Sequence, residues 1–340
     1  MPQFRTGKIP TDILVENVLR YKGKRDTSVI LGSSVGEDAA LISHGNDVLV
    51  LTTDPVTGAA VDIGWLSVHV NANDVSCRGA TPKWFLCDIL LPERSGVRVL
   101  DSIMRQIDHA AREVGVAIVG GHTEVTPGLI HPIVVGYMMG IVGRDRFVTS
   151  SGARPGDDII MTKTVGIEGT AVLAADFPNK LQSRIGRRSL AMAKSLRRSI
   201  SVVKDARVAV KGGGIRAMHD PTEGGLLQGV WEIAEASKVG FMIHESSIPI
   251  RPETRQVCDV FKLDPLRLMS SGCLLLAVDR KRTEFIVQAL WKHGIPASII
   301  GTVTRRRMGR KLVGVDGYRR EVGPSERDEL YRVIESYRVR

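Results

Sequence analysis

Four short acidic segments in the first half of the chain most constrain what it can fold into. They are GEDAAL (Gly36–Leu41), TTDP (Thr52–Pro55), NANDVSCRGA (Asn71–Ala80) and VGGHTE (Val119–Glu124). Each sets carboxylate, amide or imidazole groups beside glycine or at the end of an apolar run. The apolar runs read as strands, so the polar groups are expected where strands stop and loops begin. Carboxylates delivered to one rim repel one another, and a divalent cation is the usual remedy. Asp and Glu oxygens suit a hard ion such as Mg²⁺, which keeps phosphate oxygens among its ligands.

A chain of 340 residues exceeds one average domain, so two are expected, 1–154 and 155–340. The polar, Gly- and Pro-containing stretch SSGARPGDD (Ser150–Asp158) marks the boundary. In the first half, helices are predicted over Thr11–Tyr21, Gly64–Cys77 and Val97–Val114, the last ended by Gly115. Strands are predicted over Glu37–Ile42, Val48–Thr53, Lys83–Leu91, Val116–Val119 and Pro132–Val142. The second half alternates strands (Ile159–Thr162, Phe241–His244, Leu274–Val278, Ser298–Val303) with helices (Gly224–Ala236, Arg282–His293). Ser325 and Asp328 read as a capping box before a packed tail helix striped by Leu330, Val333, Ile334 and Tyr337. Both halves therefore read as α/β of the α+β kind. Neither a GxGxxG after a first strand nor a GxxxxGK[ST] loop occurs, which excludes Rossmann and P-loop readings.

The net charge of +10 favours polyanionic partners, nucleotide phosphates included. Basic residues concentrate in Arg184–Arg198, followed by Lys204 and Lys211, and in Thr304–Lys311. The first reads as a solvated helix face and the second as an exposed hairpin. Aromatics are 5% of residues and do not interleave with the basic ones, so stacking platforms for single-stranded nucleic acid are not expected, and a nucleic-acid-binding role for the basic helix ranks only third among the alternatives. No apolar run approaches the roughly 20 residues of a membrane span, and MPQFRTGKIPTDIL lacks a signal-peptide core. The expectation is a cytoplasmic protein with no membrane partner. Cys77, Cys87, Cys258 and Cys273 form no CxxC pair or Cys/His cluster and read as small buried thiols.

Asp38 stands in Gly-Glu-Asp-Ala, Asp54 ends VLVLTTD before Pro55, and Asp74 follows Asn73 on a helix. Three carboxylates from three elements can bridge Mg²⁺ to a triphosphate, although an Asp after a strand is more often a turn residue. His122, after Gly120-Gly121, can contact a phosphate, ligate metal or bond within a turn. In KGGGIRAMHDPTEGG (Lys211–Gly225), Asp220 ends a strand and Thr222-Glu223-Gly224 opens a helix. Free N–H groups there can hold an anion. Alternatively, Asp220 or Thr222 caps the helix.

In that order and spacing, the segments resemble the AIR synthase (PurM)-like superfamily from about Gly32 to Gly314, and most of all its hydrogenase-maturation branch, HypE. GEDAAL, TTDP, NDVSCRGA, VGGHTE, HDPTEGG and EASKVGFMIHESSIPIRPE carry the likeness. The resemblance implies a two-domain PurM-like fold. Its N-terminal domain binds ATP and Mg²⁺ and dimerises through its sheet into a β-barrel, and its C-terminal domain is α/β. The implied metal ligands are Asp38, Asp54 and Asp74. Glu37, Asn73, Gly120, Gly121, His122, Asp220, Thr222 and Gly224 are implied near the nucleotide. The implied chemistry is ATP-dependent activation of a substrate oxygen by phosphorylation, with a homodimer and a maturation partner protein. Two alternatives stand beside it: a small-molecule kinase like thiamine-monophosphate kinase, and a nucleotide-binding partner protein without turnover. HypE ends in a cysteine that receives a carbamoyl group, whereas this sequence ends Tyr337-Arg338-Val339-Arg340. Thiocarbamate dehydration on a terminal cysteine is therefore not expected. His122 stands where HypE commonly has Asp, Ser271-Gly272-Cys273 replaces a Glu-Gly-Lys segment, and Glu223 replaces an Arg.

Overall fold

The computed structural model describes residues 4, 6–57, 62–325 and 327–338. The chain divides into two compact units. One contains Asp26–Gly32 and Asp38–Phe147, and the other Met1–Arg25, Ser33–Glu37 and Val148–Arg340. GEDAAL is thus divided, with Glu37 in one unit and Asp38 in the other. The short helix α1 (Thr11–Leu14), continued by a π-helical turn at Val15–Leu19, belongs with the C-terminal half.

The first unit is a six-stranded sheet under two helices. Its elements are β1 (Val29–Leu31), β2 (Ala40–His44), β3 (Asp47–Val56), α2 (Ile63–Cys77), β4 (Thr81–Leu91), α3 (Val97–Val114), β5 (Ala117–Val125) and β6 (Ile133–Gly143). The strand order is β1-β2-β3-β6-β4-β5, antiparallel except for parallel β4 and β5. Within one chain the sheet is open, with β1 and β5 at its edges. Along β4, Phe85, Cys87, Ile89 and Leu91 point to the covered face, as do Val134, Met138 and Val142 of β6. That period of two is what a sheet with helices on one face requires. Helix α2 packs on β3, β6 and α3 and is buried at every residue but Trp65. It sits so close to β6 that a Cβ at Gly136 would lie 2.3 Å from Asn71 Nδ2, and one at Gly140 2.4 Å from Val75 Cγ1.

The second unit contains β7 (Asp158–Thr162), α4 (Ile167–Asp176), α5 (Pro178–Ser195), α6 (Val203–Gly212), β8 (Ile215–His219), α7 (Gly225–Ala236), β9 (Gly240–His244), α8 (Pro252–Phe261), β10 (Leu275–Val278), α9 (Arg280–Lys292), β11 (Ala297–Thr304), β12 (Arg310–Val313), β13 (Arg319–Glu321) and α10 (Glu329–Arg338). Its sheet order is β13-β12-β9-β11-β7-β10-β8, with β12 and β9 parallel and the other pairs antiparallel. One core joins this sheet to α7. A second joins α4, α5, α8 and α10. The stripe anticipated in the tail does pack there: Leu330 and Val333 are buried, and Tyr337 lies 4.8 Å from the Phe177 ring.

Several expectations are corrected. Strand β3 runs through Asp54 and Pro55 to Val56, so Asp54 does not end it. Neighbour β2 pairs only as far as Leu51, so the β2 side of the sheet is open beyond it, where a residue without an N–H is tolerated. Gly120, Gly121 and His122 lie inside β5, not after a strand. Residues 304–311 are not a hairpin: a 3₁₀ turn (Arg306–Met308) separates β11 from β12, which pairs with β9 and β13. Asp328 Oδ1 accepts the Leu330 N–H at 2.7 Å, capping α10, while Ser325 Oγ turns to the Arg327 carbonyl, so no capping box forms. No helix among the described residues is long and apolar enough to cross a membrane.

Candidate functional site

In the first unit, β2, β3 and α2 build an acidic cluster. Asn71, Asp74 and Arg78 follow one another by three and four residues, so they share the α2 face that lies on β3. Asn71 Nδ2 donates to the Asp54 carbonyl at 3.2 Å. Thr52 Oγ1 is 2.8 Å from Asp74 Oδ2 and 2.9 Å from the Asp38 carbonyl oxygen. Arg78, wholly buried, pairs with the Asp38 carboxylate. Asp38 and Asp74 are thus brought together through Thr52, and Asp54 adjoins them through Asn71. Asn73 is wholly buried too, about 100° further round the helix than Asp74.

Charge in this cluster is not balanced by carboxylates awaiting a cation alone, as the sequence suggested. Arg78 supplies Asp38 with a fixed positive partner, and the Thr52 hydroxyl restrains Asp74. The oxygen-only acidic groups nevertheless suit a hard divalent ion. Arg78 was missed although its spacing from Asn71 and Asp74 was visible in NANDVSCRGA.

The VGGHTE residues occupy the exposed edge strand. A Cβ at Gly121 would lie 1.9 Å from the Cys87 carbonyl oxygen, so this glycine is required by the pairing of β5 with β4. His122 is exposed, with Nε2 3.2 Å from Glu124 Oε2. Hydrogen bonds from Thr126 and His122 lower the Glu124 carboxyl below its ordinary range. Beside this edge, Tyr137 donates to Asp88 Oδ2 at 3.0 Å.

In the second unit, the turn between β8 and α7 gathers a different set. Asp220 is buried. Thr222 accepts at its carbonyl from Gly225 N and Ser270 N, and at Oγ1 from Lys8 Nζ at 3.2 Å. The N-cap position of α7 is Gly224, not Asp220 or Thr222. Instead, Asp328 Oδ2 accepts the Gly224 N–H at 2.6 Å, so the N–H groups of Gly224 and Gly225 are both engaged. The Asp328 carboxyl rises to about 7, pushed up by burial against the backbone N–H groups of Leu330, Gly224 and Met269 that hold it. Glu223 accepts the Lys8 N–H at 2.8 Å and the Tyr331 hydroxyl at 3.0 Å.

Behind the turn, Glu232 Oε2 is 2.8 Å from His219 Nε2, and Gln228 Nε2 donates to Oε1 at 2.9 Å. Burial alone would raise Glu232, but the Lys8 charge and the bonds from His219 and Gln228 outweigh it and hold the carboxyl at about 2. Glu37 Oε2 accepts the Ser150 N–H at 3.0 Å. Lys8 and Glu232 carried no sequence signal, since neither lies in a segment of recognisable spacing.

All four thiols are buried. Burial lifts Cys87 to about 11, Cys258 to about 12 and Cys273 higher still.

Comparison with known proteins agrees with this architecture. Residues 36–142 match the family model "AIR synthase related protein, N-terminal domain", and 154–313 match "AIR synthase related protein, C-terminal domain". A putative hydrogenase expression/formation protein of Methanocaldococcus jannaschii is 30% identical over 324 residues, 92% of this chain and 93% of the relative. Carbamoyl dehydratase HypE of Rhizobium leguminosarum bv. viciae is 32% identical over 279 residues, 79% and 77% of the two chains. Among solved structures, that of a HypE–HypF complex superposes with a TM-score of 0.72 at 26% identity, covering 85% of this chain and 93% of the other. The acidic cluster, the two sheets and these matches agree: the chain belongs to the AIR synthase related (PurM-like) family and is HypE-like.

Proposed function

We propose that this protein is an ATP-dependent enzyme that activates a substrate oxygen by phosphorylation, in the manner of a HypE-like maturation protein. The observation that carries the reading is the Asp38–Thr52–Asp74 network anchored by Arg78. In this reading, Asp38, Asp54 and Asp74 hold Mg²⁺, which neutralises phosphate charge when bound. Arg78 orients Asp38, and the Thr52 hydroxyl orients Asp74. Glu37, Asn73, Gly120, Gly121, His122, Asp220, Thr222 and Gly224 are proposed to serve the nucleotide, Gly224 by close approach of its backbone rather than by its N–H, which Asp328 holds. The γ-phosphoryl group moves to the substrate oxygen and ADP leaves. The phosphate ester is then resolved by a nitrogen nucleophile or by elimination. A homodimer, with the open sheets of two copies closing a barrel, and a maturation partner protein that supplies the substrate complete the proposal.

The buried thiols favour keeping a second reading, transfer to a small molecule as in a kinase, because none of the four is placed to carry a thiocarbamate. The test is ADP formation by the full chain with Mg²⁺ and ATP, offered either a carbamoyl-loaded partner or small phosphate and alcohol acceptors. Turnover with the first supports the maturation reading, and turnover with the second the kinase reading. ATP binding without ADP formation under any of these conditions rejects both.

A further inference from the structure

Nearly all of the chain's excess positive charge sits in one stretch. Residues 178–212 hold ten Lys and Arg against one carboxylate, Asp205, and so account for +9 of the net +10. Asp205 does not offset the surface cations: it is buried, 2.8 Å from Thr162 Oγ1 and 3.0 Å from Lys163 Nζ. Helix α5 breaks at Gly186 (φ 78°, ψ 164°), with Leu181, Leu190 and Ala193 turned inward. Arg184, Arg187, Arg188 and Lys194 are exposed around the break. The 3₁₀ turn Leu196–Ser199 adds exposed Arg198. Helix α6 begins after three further residues, within roughly 14 Å of chain. It exposes Lys204, Arg207 and Lys211 at i, i+3 and i+7, opposite buried Ala206 and Ala209.

Elsewhere several arginines are paired with carboxylates, as in Arg105–Asp101, Arg112–Asp108 and Arg310–Glu235. In this stretch Arg184, Arg187, Arg188, Lys194, Arg198, Arg207 and Lys211 meet no carboxylate among the described residues. Unrelieved like charge costs the folded state free energy, which a polyanion recovers. The kind of polyanion follows from what else is exposed. Met192 is the one large hydrophobic side chain exposed there among the described residues. A protein interface needs aromatic or aliphatic anchors, and a membrane-seated helix needs an apolar face. A phosphodiester backbone needs neither, and the guanidinium fork, which predominates here, matches phosphate oxygens.

We propose that residues 178–212 form a sequence-independent binding surface for the phosphodiester backbone of RNA or DNA. The phosphates, not the bases, are held, since residues 178–212 contain no aromatic side chain to stack on.

The test is fluorescence anisotropy of the full chain with mixed-sequence RNA and DNA oligonucleotides, single-stranded and duplex, from about 50 to 300 mM KCl. Binding is expected, with a slope of log K against log salt of about −3 to −6 for single strands. The tighter of the RNA and DNA arms identifies the source. R184E/R187E/R188E and K204E/R207E/K211E should each weaken binding by about tenfold or more. R305E/R306E/R307E changes the net charge equally at another exposed site and should leave affinity within about threefold. The proposal is overturned by no binding at the lowest salt, by an equal loss in the Arg305–Arg307 variant, or by tighter binding to polyglutamate or anionic vesicles. The wild-type salt slope stands independently of whether any variant folds.

Discussion

The wholly buried guanidinium of Arg78 pairs with the carboxylate of Asp38, and that ion pair fixes one corner of the acidic cluster to the end of α2. Removing one partner of a buried pair leaves the other charge uncompensated. Arg78→Met should therefore destabilise the protein by about 3–5 kcal/mol. The double variant R78M/D38N removes both charges and should recover a large part of that loss. Urea denaturation of the single and double variants measures both. A single variant as stable as the wild type would show that the pair is not structural.

Acid should weaken the second unit through Glu232. Its carboxyl is depressed from 4.5 to about 2 in the fold, so it binds its proton less readily folded than unfolded. Its contribution to stability is present above pH 4.5 and is lost as pH falls towards 2. Glu232→Gln has no such titration. The stability difference between wild type and E232Q should shrink from pH 5 to pH 2, as followed by urea midpoints at each pH. A difference constant across that window would contradict the role given to Lys8 and His219.

The thiols in this sequence should be inert in the folded protein. With Cys87 near 11 and Cys258 near 12, the thiolate fraction at neutral pH is very small. Peptide mass spectrometry after incubation with ATP and a carbamoyl donor should find Cys77, Cys87, Cys258 and Cys273 unmodified. Alkylation by iodoacetamide should need denaturant. A carbamoyl or cyano adduct on any of the four would contradict their placement.

The exposed edge of β5 is expected to be covered by a second copy. All nine of its residues are exposed, Val119 and Val125 at more than half their surface. An unpaired apolar edge is a pairing template that charge blunts. Light scattering should give about twice 37.1 kDa for the wild type and about 37.1 kDa for V119K/V125K. A wild-type monomer would remove the barrel from the proposal.

What the sequence revealed depended on which force shaped each element. Helix α3 was legible end to end: its apolar stripe is periodic, and Gly115 closes it at φ 76°. Helix α2 was legible only through Trp65, Val68, Ala72 and Val75, because burial on nearly all sides blurs its amphipathic pattern. Strand β5 looked short because Gly120, Gly121 and His122 are poor strand formers, and its extension comes from parallel pairing with β4. Strand β13, three exposed residues, exists only through its pairing with β12. At the site, the carboxylates stood out by motif. Their supports did not: Thr52 and Arg78 act through tertiary contact, and Lys8 reaches Thr222 and Glu232 across more than 200 residues.

The most direct test of the proposed nucleotide role is calorimetry of Mg²⁺–ATP with the wild type, Asp54→Asn and Asp74→Asn. An amide oxygen at residue 74 can still accept from Thr52, so the fold should survive while the metal ligand is weakened. Wild-type binding should require Mg²⁺, and each variant should lose about tenfold or more in affinity with an unchanged melting temperature. Binding that is indifferent to Mg²⁺, or unchanged in both variants, would contradict the assignment of Asp54 and Asp74.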